Sequence, residues 1–198
     1  MAKVRTFRLP HYDAYPIQVA MFKDVKNAAF LRSQLLAANP EFDYAFLDAT
    51  MILTPQHLLL ATFQALHNSR TSRLKARTAH SELVFRLHPN NNIGESYRTF
   101  GISDSTTRLL AVKLSLTPDV TSESVSRHLG EVVEGESVEI GEAGEELGGW
   151  ADEGKIRKVY KLNGNGNGKT GVVKNGQARD ERKEMESVIL GMMTVKGS

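Results

Sequence analysis

Up to residue 133 the chain alternates short stretches with an apolar period of two and longer stretches with the period of a helix, punctuated by proline, glycine and asparagine. Val4–Leu9 is a short strand candidate ended by Pro10. Ile17–Phe22 alternates, with Ile17, Val19 and Met21 on one face. Val25–Ala38 follows as a helix with Ala28, Leu31 and Leu35 on one side, broken by Asn39-Pro40. Tyr44–Asp48 is an apolar strand. Thr54-Pro55 pairs an N-cap with proline at the first helical position, and the helix it opens carries Leu59, Phe63 and Leu66 to near Ser69. Leu109–Leu116 is another strand, and Thr117-Pro118 leads into a helix with Val125, Leu129, Val132 and Val133 on one side. Such a series predicts the α/β (α+β) class, a single domain whose mixed β-sheet is flanked by helices.

The stretch Arg73–Ile102 has its own character. Arg70, Arg73, Lys75 and Arg77 form a basic connector, with no acid before Glu82. Ser81–Leu87 alternates, with Leu83, Phe85 and Leu87 against Glu82, Val84 and Arg86, which predicts a strand. His88-Pro89-Asn90-Asn91-Asn92 is turn chemistry, and a short helix begins at Ile93 and stops at Gly101. A basic loop beside a strand end and a helix N-terminus suits phosphate or RNA. A solvated surface connector is the equal alternative.

After Glu134 the composition changes. Gly135–Glu146 is acidic and glycine-rich, and reads as a solvated loop without the spacing of a calcium loop. Leu147–Leu162 is helical in parts, with Ile156, Val159 and Tyr160 on one face. Asn163–Ala178 has too little apolar content to fold and reads as a flexible linker. From Asp180 a helix returns, with Met185, Val188, Ile189, Met192 and Met193 as an apolar stripe. The expected organisation is a domain over 1–162, a linker over 163–179 and a helix over 180–198. An amphipathic helix beyond a linker docks on its own domain or on a partner. The candidate partner-binding residues are therefore Ile156, Val159, Tyr160, Val188, Ile189 and Met192.

The sequence holds little that points to chemistry. It has no cysteine, which excludes disulfides and thiol catalysis and fits a reducing compartment. Gly168-Lys169-Thr170 fits the end of a phosphate loop, but Asn163 stands where the first glycine belongs. The histidines make no metal-ligand spacing, and no nucleophile has a base beside it. Asp48 at a strand end reads as a cap or turn residue. No catalytic residue, metal or cofactor is expected, and an unrecognised α/β enzyme is the remote reading. No apolar run approaches a membrane span, and the N-terminus lacks a signal-peptide apolar core, so a cytosolic or nuclear protein is expected. The net charge of +2 is small, so any nucleic-acid contact must come from a local patch.

Val19–Asn27 (VAMFKDVKN), Ala45–Asp48 (AFLD), Lys75 and Arg77 with Ser81-Glu82, Pro89–Ile93 (PNNNI), Phe100-Gly101-Ile102, Ile156–Leu162 (IRKVYKL) and an apolar helix closing in Val195-Lys196-Gly197 together carry a resemblance. In their order and spacing they resemble the TPRKB family, the small subunit of the KEOPS (EKC) complex that binds the PRPK-type kinase. The resemblance spans most of the chain, and the glycine–asparagine stretch departs from the family's compact form. It implies a mixed α/β domain without catalytic activity of its own. Its partners would be the PRPK-type small kinase/ATPase, other KEOPS subunits through it, and the single-stranded 3′ CCA end of tRNA. The reaction served is N6-threonylcarbamoyladenosine (t6A) modification at position 37. Eukaryotic members are linked to nucleus, cytoplasm and telomere maintenance. By matching positions, the RNA-binding residues would be Arg73, Lys75 and Arg77 for phosphates, Asn91 and Asn92 for base edges and Ile93 as an apolar wall. The alternative is a protein-only regulator of the kinase with no RNA contact.

Overall fold

The computed structural model describes residues 1–162 and 175–196. The central strand is β2 (Ile17–Lys23), and it is buried along almost its whole length. β1 (Arg5–Phe7) pairs with its first half and β5 (Glu136–Val138) with its second half, both on one edge. β4 (Leu109–Leu114) takes the other edge, with Ile17 opposite Leu114, and β3 (Ala45–Asp48) pairs with β4. The order is β1-β2-β4-β3, with β5 beside β2.

The α/β class and the flanking helices are as the alternation predicts, but the sheet is not mixed, because every ladder is antiparallel. The reason is an insertion. β2, helix α1 (Ala28–Leu36) and β3 form a strand–helix–strand unit whose two strands run the same way. β4 then enters between them, antiparallel to both.

Alternation along β2 builds two cores. Ile17, Val19 and Met21 join Leu110, Val112 and Leu114 on one face. Helices α2 (Pro55–Arg70), α3 (Ala79–Leu87), α6 (Glu153–Val159) and α7 (Asn175–Val195) contribute Leu58, Leu83, Ile156 and Ile189 to that layer. Ala20 and Phe22 face the other way, toward Leu31 of α1 and Leu129 of α5 (Ser122–Val132). Thr54 caps α2 as its spacing predicts, accepting the His57 N–H at 3.1 Å.

Three boundaries differ from expectation. Ser81–Leu87 is not a strand but lies within α3, which Thr78 caps by accepting the Ser81 N–H. Glu82 through Leu87 are all buried, so the helix shows no periodicity of burial, and its alternation of side chains is incidental. Glu136–Val138, expected as loop, is β5: the acidic stretch completes the edge of β2. The expected linker lies outside the described residues as far as 174, and Asn175–Ala178 belong to α7.

Candidate RNA and partner surface

The basic connector between α2 and α3 is shaped by a buried carboxylate. Glu82 accepts the backbone N–H groups of Lys75 and Ala76, each at 2.8 Å, the Asn68 side-chain amide at 2.9 Å and Arg86 Nε at 2.8 Å. Burial pushes its pKa up, but the donors from Ala76, Asn68, Arg86 and Lys75 outweigh that and hold it below the usual carboxylate range. The backbone of the connector is thus tied inward while the side chains of Arg73, Lys75 and Arg77 are exposed.

Arg77 lines a cleft of about 810 Å³ together with Arg32, Asp43, Gly94, Tyr97 and Arg98. On the α1 side Leu35 and Leu36, with Pro40 just beyond the helix, add apolar surface beside Arg32. Helix α4 (Ile93–Phe100) supplies Gly94, Tyr97 and Arg98. Asn92 accepts the Glu95 N–H at 2.9 Å, so its carbonyl is used as the cap of α4. Asn91 is exposed at the turn, and Ile93 is 37% exposed. The structure therefore brings Arg77 and the start of α4 to one cleft, with Arg73 and Lys75 along the connector beside it.

Asp43, Tyr97 and Arg98 are cleft residues that escaped sequence reasoning. The Asp43 carboxylate accepts from Thr78 at 3.0 Å and lies 3.0 Å from His80 Nδ1. His80 Nε2 accepts the Leu114 N–H at 2.9 Å, which braces α3 to the sheet. Arg98 carried no signal, since it follows the turn that drew attention. Its spacing places it on the same side of α4 as Gly94.

The expected partner-binding residues fall into two groups. Ile156, Tyr160 and Ile189 are buried in the chain's own core, and Val159 and Met192 pack against it. Tyr160 donates to the Leu87 carbonyl and meets His57 Nε2 at 2.8 Å. The apolar stripe of α7 thus finds its partner in α2, and that of α6 lies against the turn at 49–51 and, through Tyr160, against α2. Val188 stands apart at 48% exposed. On α1, Phe30 and Leu36 are also exposed. Among the described residues no cluster of acidic or histidine side chains could hold a metal ion. No described helix is long and apolar enough to cross a membrane.

A cationic connector and a half-apolar cleft on a helix-flanked sheet fit a binding surface. Residues 22–197 match the family model described as Kinase binding protein CGI-121, and the chain belongs to that kinase-binding family. It is 56% identical to the EKC/KEOPS complex subunit CGI121 of Phaeosphaeria nodorum, over 99% of this chain and 100% of that one. The subunit of the same name from Aspergillus fumigatus is 44% identical over 98% and 97% of the two chains, and that of Yarrowia lipolytica 32% over 96% and 98%. The resemblance drawn from the sequence is to this same family.

Proposed function

We propose that the chain is a non-catalytic accessory subunit of the EKC/KEOPS complex, in nucleus and cytoplasm, that binds a PRPK-type kinase/ATPase and helps recruit the 3′ CCA end of tRNA for t6A modification. Membership of the kinase-binding family supports the protein partner. The observation that carries the RNA half is the exposed run Arg73, Lys75 and Arg77 leading into a cleft with Arg98. Cations there meet phosphates, Leu35 and Leu36 offer an apolar side, and Tyr97 a ring for an unpaired base. Binding of tRNA should weaken with salt and fall when the CCA end is trimmed. Lys75→Glu with Arg77→Glu should abolish that difference while co-elution with the kinase persists; equal binding of trimmed and whole tRNA by the native chain overturns the RNA half.

A second reading, a protein-only regulator of the kinase, is favoured by the carboxylates at the same cleft. Asp43 is braced there, and Asp104 pairs with Arg32 at 3.2 Å, so part of the cationic charge is already answered. Kinase activation by a chain that shows no salt-dependent tRNA affinity would establish it.

A further inference from the structure

The residue that follows α7, Lys196, is only 8% exposed, although lysine is rarely buried without a partner. Its ammonium donates to the Phe85 carbonyl and, at 2.6 Å, to the His88 carbonyl. It also sits 3.7 Å above the centre of the Phe85 ring. These carbonyls belong to the end of α3 and to the first residue of the turn that leads to Asn91, Asn92 and Ile93. A cation at a helix C-terminus satisfies carbonyls that have no partner within the helix.

The other end of the residue is held too. Arg86 Nη1 donates to the Lys196 carbonyl at 2.8 Å, and Arg86 Nε donates to Glu82 at 2.8 Å. Glu82 in turn accepts the Lys75 and Ala76 N–H groups. His88 continues the other branch: its Nδ1 accepts the Asn90 N–H at 3.1 Å, and Asn90 Nδ2 donates to Glu95 at 2.7 Å. A single network of hydrogen bonds thus starts at Lys196 and reaches both the basic connector and the asparagine turn. These two segments are separated in sequence by the whole of α3. Neither has a strand ladder to fix it.

We propose that Lys196, acting through Arg86 and Glu82 on one side and the His88 carbonyl on the other, is the positioning residue that holds the basic connector and the Asn91–Ile93 turn in register as one RNA-binding surface. The proposal rests on the RNA reading above for its functional consequence. Its structural half stands on the hydrogen bonds alone. Lys196 makes no direct contact with RNA in this scheme.

The test uses the full chain and a short single-stranded RNA ending in CCA, with hydrogen exchange read at individual amides. Lys196→Met keeps the length and removes the ammonium that pins the residue to α3, so that its backbone carbonyl, which Met retains, is no longer held over Arg86. It is expected to weaken RNA binding by about tenfold or more, the loss of one charge-assisted interaction. It should also speed exchange at the amides of Lys75, Ala76 and Asn90, while co-elution with the kinase is retained. Lys196→Arg should restore protection and affinity. Met185→Ala, at a buried α7 position outside the network, lowers stability without touching it and should leave both readouts unchanged. Unaltered exchange at Lys75, Ala76 and Asn90 in Lys196→Met overturns the proposal, as does an equal loss in Met185→Ala. Should the native chain bind no CCA-ended RNA, the functional reading fails, and the exchange readout still decides whether Lys196 positions the two segments. Should Lys196→Met not fold, Lys196→Gln, which keeps one donor group, is read by the same criteria.

Discussion

Two buried side chains show how much a single residue settles in this molecule. Glu82 satisfies two backbone amides, an asparagine and an arginine. Replacing it by alanine leaves the buried Arg86 without its carboxylate, a change expected to cost about 3–5 kcal/mol. Urea denaturation of Glu82→Ala against the native chain measures it. His57 is fully buried, with Nδ1 accepting the Leu53 N–H at 3.1 Å and Nε2 against the Tyr160 hydroxyl. Burial lowers its pKa from 6.5 to about 3. The unfolded chain therefore takes up a proton on this side chain below pH 6.5, whereas the folded chain resists until near pH 3. Stability present above pH 6.5 is lost as pH falls, by up to about 1.4 kcal/mol per pH unit from this group. In His57→Gln the slope of unfolding free energy between pH 6.5 and 4 should flatten, even though the variant starts less stable.

Among the elements, α7 separates docking from packing. Ile189 is fully buried, and Val188 beside it is half-exposed. Ile189→Asp is expected to unfold the chain, since an unpaired carboxylate would enter the core. Val188→Asp should leave the melting temperature within a few degrees of native, and a drop in kinase affinity in that variant alone would place the kinase on the outer side of α7. Gly148 sets another limit. Its φ is +104°, and a Cβ there would lie 2.2 Å from the Leu53 carbonyl oxygen, the same oxygen that accepts from Arg182. Gly148→Ala should lower stability by more than about 1 kcal/mol, seen in the same denaturation assay. The sequence was legible where one signal acted alone: the Thr54-Pro55 cap, the alternation of Ile17, Val19 and Met21, and the stop at Gly101 all correspond to observed structure. It misled at α3, where burial on every side hid the helical period. The i, i+4 pair of Glu82 and Arg86 was the signal for the helix, outvoted by an accidental alternation. For the cleft, Arg77 could be singled out in advance, but Asp43, Tyr97 and Arg98 reach it only through the tertiary arrangement of α4 and the turn that precedes β3. Nor could an apolar stripe say whose surface it covers, which is why Ile156, Tyr160 and Ile189 read as partner contacts.

For the molecule as a whole, α7 is a structural member of the fold. Met185, Ile189 and Met193 are core residues, and Arg182 donates to the Leu53 and Gly148 carbonyls on the body of the domain. A chain stopped after Leu162 should lose cooperative unfolding and bind an apolar dye, which a thermal melt with dye fluorescence would report. The sheet carries a further consequence, one of timing. β2 is made early and can pair at once with β1, Phe7 opposite Ile17, yet its other edge finds Leu114 opposite Ile17, and Met21 its second partner in Val138, only much later in the chain. At ordinary synthesis rates of about 5–20 residues per second, this apolar strand waits on the order of ten seconds before its ladder can close. During that interval a nascent chain on the ribosome exposes one open edge of an almost uncharged strand, which makes early synthesis the stage at which this protein most needs shielding from its own copies.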